Sequence, residues 1–264
     1  MLSAQDLHMT FNAGTPIETR ALRGMSLEIP AGQFVTVIGS NGAGKSTLLN
    51  AVSGDMAVDR GRIEIDGVDV TRQPVWERAA RVARVFQDPM AGTCEDLTIE
   101  ENMALADLRG GKRGFRHAVR PARREEYRAH LATLGLGLEN RLGDRIGLLS
   151  GGQRQAVSLL MAALRPSRIL LLDEHTAALD PRTAQFVLQL TARIVAEHKL
   201  TTMMVTHSMR QALDVGERTV MLHQGKVVLD VAGAERKGLD VRHLLEMFEK
   251  VRGEQIDDDA LLLG

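Results

Sequence analysis

The chain has little of several features that mark particular protein classes. It has one cysteine, Cys94, which excludes an internal disulfide and suits a reducing compartment. Aromatic residues make up only 3% of the chain, which argues against a surface that stacks nucleic-acid bases. The formal net charge of -1 gives no electrostatic reason to expect nucleic acid or an anionic membrane as a partner.

Long apolar runs are also missing. None approaches the roughly 18 consecutive apolar residues that a membrane-spanning helix needs, so the sequence predicts no such helix. The segment Met1–Thr10 has neither a basic start nor a long apolar stretch, so we predict no signal peptide. If the protein serves a membrane process, we expect another chain to supply the membrane part. Hydrophobic residues nevertheless make up 44% of the chain, which is ample for a sizeable core.

Short apolar segments alternate with helical patterns through most of the chain. The expected buried strands are Phe34–Ile38, Ile169–Leu172 and Thr201–Thr206, with a shorter strand at Leu27–Ile29. Two hairpins are expected, Arg62–Ile65 with Val68–Val70 and Thr219–Leu222 with Lys226–Leu229. The expected helices are Ser46–Val52, Gln153–Leu164, Pro181–Glu197 and Val241–Val251, the third capped by Asp180. This alternation predicts an α/β fold with a mostly parallel sheet covered on both faces.

The middle of the chain has a different pattern. From Ile99 to Arg145 strand runs are lacking, so we predict a helical subdomain, at about residues 91–165, inserted in the α/β core. Its basic stretch is either a solvated face and loop or a surface near lipid headgroups or a partner chain. That stretch contains Arg109, Lys112, Arg113, Arg116, Arg120, Arg123, Arg124 and Arg128. We expect one domain over residues 1–252 and a tail, 253–264, without fixed structure.

Three polar segments each directly follow an expected buried strand. They are the glycine-rich loop from Gly39, the pair Asp173-Glu174, and His207. Ligands of parallel sheets bind at the carboxyl ends of the strands, so these segments are expected to meet at one edge.

The glycine-rich loop fits the phosphate-binding pattern G-x-x-x-x-G-K-[ST] at every fixed position. Its residues are Gly39, Ser40, Asn41, Gly42, Ala43, Gly44, Lys45 and Ser46, followed by Thr47. Glycines let backbone N–H groups wrap a phosphate chain, and the next helix directs its N-terminal dipole at the anion. We expect Lys45 to reach the β- and γ-phosphates and the Ser46 hydroxyl to bind Mg²⁺.

The acidic pair complements this loop. Asp173 can hold the metal ion, and Glu174 can polarise an attacking water as a general base. An acidic pair after apolar residues is often only a strand end; after a phosphate loop, the catalytic interpretation is favoured. These residues predict an ATPase that uses a phosphate loop.

The segment Leu149–Gln153 indicates which kind of ATPase. Ser150, Gly151 and Gly152 start an expected helix and form a second anion-binding N-terminus. One chain rarely needs two such sites for one nucleotide, so a dimer in which each chain caps the other's phosphate is the economical arrangement. The alternative is an ordinary serine N-cap followed by flexible glycines.

Taken together, the motifs resemble the ATP-binding cassette (ABC) family from about Leu2 to Val231. Residues 39–47 match its Walker A loop, 169–174 its Walker B strand, and 149–153, including Gln153, its signature. The resemblance implies a P-loop NTPase core with an antiparallel β subdomain and bound ATP and Mg²⁺. It also implies that Gln87 touches the metal and leads to the permease contact, and that Ala178–Asp180 is the D-loop. His207 is then the switch histidine near the γ-phosphate, and Phe11 stacks on adenine.

One position departs from the family pattern. His175 follows Glu174, where the family usually has proline. The substitution is either simply tolerated, or His175 tunes Glu174 or contacts a second chain.

The resemblance implies a transporter subunit without membrane helices of its own, at the cytoplasmic face of the inner membrane. Its expected partners are permease subunits, a second copy or a related cassette, and indirectly a periplasmic substrate-binding protein; nucleic acid is not expected. An importer of small solutes such as amino acids is the favoured interpretation. The alternatives are an exporter cassette, a non-transport ABC ATPase, and a nucleotide-gated binding module. The segments Thr98–Leu105 and Asp173–Pro181 resemble an importer branch paired with binding proteins for aromatic amino acids.

Overall fold

Two β-sheets organise the protein, whose computed structural model describes residues 1–111, 119 and 121–252. The antiparallel sheet has the order β2-β1-β4-β5. It comprises β1 (Leu2–Phe11), β2 (Thr19–Ile29), β4 (Arg60–Ile65) and β5 (Val68–Asp69). The larger sheet has the order β10-β9-β3-β8-β7-β6. It comprises β3 (Phe34–Ile38), β6 (Val82–Val85), β7 (Ile169–Asp173), β8 (Thr202–Val205), β9 (Arg218–His223) and β10 (Lys226–Ala232). The sheet is parallel except for β10, so the predicted α/β class is confirmed.

Helices connect the strands and cover the larger sheet. They are α1 (Lys45–Ser53), α2 (Val75–Arg78), α3 (Ile99–Asp107), α4 (Pro121–Ala132), α5 (Gly151–Ala163), α6 (Pro181–His198), α7 (Met209–Asp214), α8 (Gly233–Arg236) and α9 (Val241–Arg252). Two 3₁₀ turns, Leu138–Asn140 and Ile146–Leu148, lie between α4 and α5. In the part of the chain that is described, no helix is both long and apolar enough to cross a bilayer.

The strand β7, which lies between β8 and β6, is buried on both faces, as its apolar run predicts. Ile169 and Leu171 join the core under the antiparallel sheet, whereas Leu170 and Leu172 join the core shared with α3, α4, α5 and α6. Alternate side chains of one strand therefore belong to two different cores. Because both layers pack on β7, its carboxyl end is held rigidly, and this is the end that bears the acidic pair.

Strand β1 and most of β2 lie outside the predicted elements. Their pairing shifts register between Ala4 and Leu7 and again near His8, around Asp6 in the left-handed region at φ 49°. On the other side of β1, the strand β4 contributes Gly61, where an added Cβ would lie 2.5 Å from the Asp6 carbonyl oxygen. Such bulges interrupt the alternation of side chains between the two faces of a strand, and this alternation is the pattern by which strands are predicted from sequence.

The described part of the segment from Ile99 to Arg145 contains α3, α4 and a 3₁₀ turn, with one isolated bridge between Thr98 and Arg145. Its described arginines are engaged within the subdomain. Arg109 donates to the carbonyl oxygens of Ala162 and Arg165, Arg123 pairs with Asp107 and Glu126, and Arg124 pairs with Glu100. Residues 112–118 and 120 of the basic stretch, and the predicted tail 253–264, lie outside the described residues.

Candidate functional site

Adjacent parallel strands bring the predicted catalytic segments together. The central strand β8 lies between β3 and β7. The glycine-rich loop follows β3, His207 follows β8 after Thr206, and Asp173 ends β7. Because the three strands are parallel, their carboxyl ends share one edge of the sheet, as expected from the sequence.

Two glycines of the loop are required by close contacts. An added Cβ at Gly39, which has φ 150°, would lie 2.3 Å from the Leu222 carbonyl oxygen. At Gly44, with φ 102°, it would lie 2.6 Å from the Ala21 carbonyl oxygen. At Gly42, in contrast, no atom lies within 4 Å of an added Cβ. The loop is therefore pressed against the two sheets on one side and open on the other. Asn41, Gly42 and Ser46 are exposed, Ser40 and Thr47 half-buried, and Ala43 and Gly44 buried.

The helix that follows the loop begins without a side-chain cap. Its N-cap is Gly44, which has no side chain to accept hydrogen bonds from the first turn. The Lys45 side chain is buried, and its Nζ donates to the carbonyl oxygens of Gly39 at 2.6 Å and Ser40 at 3.1 Å. Burial lowers the pKa of Lys45, and the charges of Glu174 and Asp173 oppose that shift. An open helix N-terminus beside a buried ammonium group is suited to a phosphate chain.

The acidic residue and the histidine of the site lie within ion-pair distance. Glu174 Oε2 is 3.4 Å from His207 Nδ1, and both side chains are partly exposed. Glu174 has φ 41°, the left-handed region that non-glycine residues rarely occupy. Its backbone N–H donates to the Val205 carbonyl oxygen at 3.0 Å. The strained backbone is thus held by β8, which directs the carboxylate along the open edge.

Sequence reasoning missed Gln211, which links the two catalytic loops. Its Oε1 accepts hydrogen bonds from the hydroxyls of Thr176 and Thr206, both at 3.1 Å. Thr176 follows Glu174, and Thr206 precedes His207. The signal available in the sequence was Ser208 followed by Gln211, a capping pair at the start of α7.

It also missed Arg84, whose Nη2 donates to Asp173 Oδ2 at 2.6 Å. The signal was a single charged residue inside the short apolar strand β6.

The oxygen donors present fit a magnesium ion that is held jointly with phosphates. The described residues contain no group of three His, Cys, Asp or Glu side chains placed to hold a metal. Mg²⁺ is usually bound by one or two carboxylates, water and substrate phosphates, so a single carboxylate beside a phosphate loop is the expected donor set. Asp173 and the exposed Ser46 hydroxyl are the donors that the sequence predicts for this set, and their binding of the metal stays a prediction.

Gln87 and Phe11 lie at the margins of this edge. Gln87 is exposed just beyond β6, and the preceding Phe86 carbonyl oxygen accepts from Gln155 Nε2 of α5 at 3.1 Å. Phe11, the last residue of β1, is half-buried against the core under the antiparallel sheet. Metal contact by Gln87 and adenine stacking by Phe11 stay predictions.

The segment Ser150–Gln153 forms a capping box at the start of α5. Ser150 Oγ accepts from the Gln153 N–H at 3.3 Å, and Gln153 Oε1 accepts from the Ser150 N–H at 3.2 Å. The serine is therefore an ordinary N-cap in this chain. Its hydroxyl proton is not used by the cap, so the same group can still donate to an anion.

The two glycines after Ser150 have different surroundings. Gly152 is buried, and an added Cβ there would lie 2.1 Å from Thr183 Cγ2 of α6. Gly151 is exposed, and its added Cβ would lie 3.4 Å from Leu179 Cδ2. Thr183 is also the residue whose N–H donates to the N-cap Asp180, and these hydrogen bonds lower the pKa of Asp180. Gly152 therefore allows α5 and the start of α6 to approach closely.

His175 is directed into the core. Its side chain is 2% exposed, and its Nε2 lies 2.9 Å from Thr191 Oγ1. Because that hydroxyl donates to the Val187 carbonyl oxygen at 2.8 Å, the imidazole acts as the donor to Thr191. Burial lowers the pKa of His175 to about 4. A buried, neutral imidazole offers no surface to a second chain.

Known proteins resemble this chain in sequence and in fold. The sequence profile of the family described as ABC transporter matches residues 22–177. The chain is 42% identical over 249 residues to a tyrosine transport ATP-binding protein of Clostridioides difficile, covering 94% of this chain and 99% of the relative. It is 35% identical over 213 residues to an aliphatic sulfonates import ATP-binding protein of Agrobacterium fabrum, covering 81% and 74%.

A solved structure extends the comparison. An ATP-binding cassette in a dimeric, post-hydrolysis state with ADP and Pi has a TM-score of 0.73 and 29% identity. The match covers 88% of this chain and 98% of that one. A cassette in its ADP conformation, with a TM-score of 0.76 and 22% identity, shares the fold over 96% of this chain and 99% of that one.

The first prediction compares how replacing Gly151 or Gly152, the two glycines at the start of α5, changes the stability of the protein. Gly152→Ala is expected to lower the free energy of unfolding by about 2 kcal/mol, because the new methyl group overlaps Thr183. Gly151→Ala adds a methyl group at ordinary contact distance, so it is expected to be neutral or slightly stabilising within the helix. Urea unfolding followed by circular dichroism measures both. Equal stabilities for the two variants would contradict the proposed role of the close approach.

The second prediction concerns pH and His175. Its pKa falls from an ordinary 6.5 to about 4 on folding, so the folded state resists protonation. The stability it contributes is complete above pH 6.5 and is lost as the pH falls toward 4, at ~1.4 kcal/mol per pH unit. His175→Gln is therefore expected to flatten this part of the pH dependence. The measurement is urea unfolding at several pH values, without nucleotide and with a chelator.

Exposed His198→Gln is the control for that series and is expected to follow the wild type. Parallel stability curves for His175→Gln and the wild type would refute the assignment of a buried neutral imidazole.

Proposed function

The chain belongs to the ABC transporter family, and from this premise we propose that it is the ATP-hydrolysing subunit of an importer. The observation that carries the proposal is the placement of Lys45, the pair Asp173-Glu174 and His207 on three neighbouring parallel strand ends. A phosphate chain at the open side of the glycine loop lies at the same edge as a carboxylate general base. ATP hydrolysis is the chemistry that this arrangement serves.

Different residues of the site would bind the phosphates, the Mg²⁺ ion and the adenine ring of ATP. The loop from Gly39 to Thr47 cradles the phosphates, and Lys45 exchanges its two backbone carbonyl partners for phosphate oxygens. Ser46, Asp173 and Gln87 would hold Mg²⁺, which would neutralise the charge that develops on the leaving phosphates. Phe11 carries the adenine ring.

Glu174 orients and deprotonates the attacking water, since it is the carboxylate at the open edge that is not engaged by Arg84. His207, 3.4 Å away, contacts the terminal phosphate and fixes the carboxylate. The left-handed backbone at Glu174, held by the hydrogen bond from its N–H to Val205, fixes the point from which its carboxylate extends before any ligand arrives.

The active form is a head-to-tail dimer of two such chains. Ser150, Gly151, Gly152 and Gln153 form a helix N-terminus with an available hydroxyl proton, and they cap the phosphate bound by the other chain. Asp180 and the D-loop lie beside them, since Leu179 approaches Gly151. The related cassette solved as a dimer with ADP and Pi supports this arrangement.

A groove of about 950 Å³ next to this site is the proposed permease contact. It is lined by the exposed side chains of Trp76, Leu105 and Leu108. Its wall includes the buried Ser158, whose hydroxyl has no hydrogen-bond partner among the described residues. An apolar rim over unpaired polar groups suits a short helical segment with a polar end. The import relatives imply a permease as the chain that supplies this segment.

The transported solute is bound and selected by other subunits. The tyrosine transport relative, which this chain matches over nearly its whole length, supports an aromatic amino acid as the cargo. We infer that the subunit works at the cytoplasmic face of the membrane with a substrate-binding protein on the other side.

The third prediction tests the dimer. Glu174→Gln removes the general base, so ATP with Mg²⁺ is bound but not consumed, and the closed dimer is expected to accumulate. Mass measurement in solution should show a monomer without nucleotide and a dimer with ATP. The wild type should dimerise only transiently while it hydrolyses.

Glu197→Gln, an exposed neutralisation on α6, is the matched control and is expected to behave as the wild type. A Glu174→Gln protein that binds ATP yet stays monomeric would contradict the homodimer. Failure to bind ATP at all would contradict the nucleotide site.

The fourth prediction tests the groove with the chain's single cysteine. Cys94 is exposed and lines the groove, and its backbone N–H and carbonyl are held by Asn102. Maleimide labelling of Cys94 is expected to be at least ~10-fold slower in membranes that contain the whole transporter than in the isolated chain. A cysteine at exposed Thr15, in a Cys94→Ser background, should label equally in both. Equal labelling of Cys94 would place the permease elsewhere.

A further inference from the structure

Arg84 sits between the proposed nucleotide site and the groove. Its Nη2 donates to Asp173 Oδ2 at 2.6 Å, and its Nη1 donates to Asp55 Oδ2 at 2.7 Å and to Asn50 Oδ1 at 2.8 Å. One guanidinium thus joins the end of β7 to α1 and to the loop after α1. Its central carbon lies 4.7 Å from the centroid of the Phe86 ring.

The ion pair with Asp173 is largely shielded from water. The side chains of Arg84 and Asp173 are 13% and 15% exposed, and that of Asp55 is 39% exposed. A charge-assisted contact at this depth is screened less by salt than a surface pair. The guanidinium is fixed by hydrogen bonds and by the aromatic face, so it cannot easily leave Asp173 for solvent.

No other described cation makes ion-pair contact with Asp173. Lys45 affects the site electrostatically, but its Nζ is hydrogen-bonded to the carbonyl oxygens of Gly39 and Ser40. The charge of Asp173 is therefore balanced mainly by Arg84. Without that guanidinium, Asp173 and Asp55 would lose their shared cation, although Asp55 Oδ2 would still accept a hydrogen bond from the Ser53 hydroxyl at 2.5 Å. Two carboxylates around one small space without a cation are an arrangement that attracts a divalent metal ion.

We propose that Arg84 is a positioning residue that acts as a tethered counter-ion for Asp173. It neutralises the carboxylate in the nucleotide-free cassette, so that Asp173 takes up a divalent cation only together with the phosphates of ATP. The ion pair uses Oδ2 and leaves Oδ1 for that cation. This inference rests on the proposed function, because it assumes that Asp173 is a ligand of the ATP-bound metal ion.

The experiment measures Mn²⁺ binding by electron paramagnetic resonance, with Mn²⁺ in place of Mg²⁺, with and without ADP. Arg84→Met keeps an unbranched, flexible side chain of similar bulk near the backbone and removes the guanidinium with its charge. Without nucleotide, it is expected to bind Mn²⁺ at least ~10-fold more tightly than the wild type, because two neighbouring carboxylates lose their cation. Arg84→Gln keeps a hydrogen-bond donor without charge and is expected to show the same gain, which separates charge from orientation.

Three further variants test the cause. Arg84→Lys restores a positive charge and is expected to return nucleotide-free Mn²⁺ binding toward the wild-type level. Arg109→Met removes another half-buried arginine that lines the groove but bonds only to backbone carbonyls in the described residues, so it should show no gain. Asp55→Asn in the Arg84→Met background should abolish most of the gain.

The outcomes separate the two proposals. If the wild type binds Mn²⁺ in the presence of ADP but both neutral Arg84 variants bind it no better without nucleotide, the counter-ion role is wrong and the nucleotide site stands. If the wild type takes up no Mn²⁺ even with ADP, the proposed function itself fails. A gain in Arg109→Met equal to that in Arg84→Met would also overturn the inference, because it would reflect loosened packing.

Discussion

The parallel alignment of β3, β8 and β7 is the constraint on which the rest of the structure depends. It places the phosphate loop, His207 and the acidic pair at one edge, although they are separated by long stretches of sequence. The alignment is secured by side chains that pack on both faces of β7, so neither core can shift without moving the catalytic edge. Close contacts of Gly39 with Leu222 and of Gly44 with Ala21 then fix the loop against both sheets. The order of the strands in the sheet therefore determines which side chains meet at this edge.

The helical subdomain shares an apolar core with β6 and β7, and polar side chains add contacts near the catalytic edge. Gln155 of α5 donates to the carbonyl oxygen of Phe86, the residue before Gln87, and Arg84 connects the same strand to Asp173. Arg84 lies in the wall of the groove and contacts Asp173 through one hydrogen bond. A partner segment that moves the groove walls would therefore act on a side chain that is one hydrogen bond away from the Asp173 carboxylate.

The predictable parts of the structure were those with strong local signals. The buried strands Phe34–Ile38 and Ile169–Leu172, the glycine-rich loop, and the Asp180–Pro181 helix start follow from short patterns, and the structure has them within one or two residues. The curated relatives and the family profile confirm the family that these motifs indicated. The roles of individual site residues stay predictions, because no local pattern reports a distance between segments.

The unpredicted parts depend on contacts between distant segments. The bulges of β1 follow from its pairing with two neighbours, and the orientation of His175 toward Thr191 depends on how α6 packs. The hypothesis that His175 tunes the base beside it treated neighbours in sequence as neighbours in space. The same reasoning overlooked Arg84, since its partners lie far from it along the chain.

The link through Gln211 has a consequence for how the protein responds to its medium. The loops that carry Glu174 and His207 are joined by two hydroxyl groups that donate to one amide oxygen, and none of these groups is charged. Salt screens charges but leaves such neutral bonds nearly unaffected, and no group in the link gains or loses a proton in the physiological range. The link between the two loops is thus insulated from ionic strength. Salt would act on the site through its charged groups, among them the contact of Glu174 with His207, and through the encounter with nucleotide, metal or partner chains.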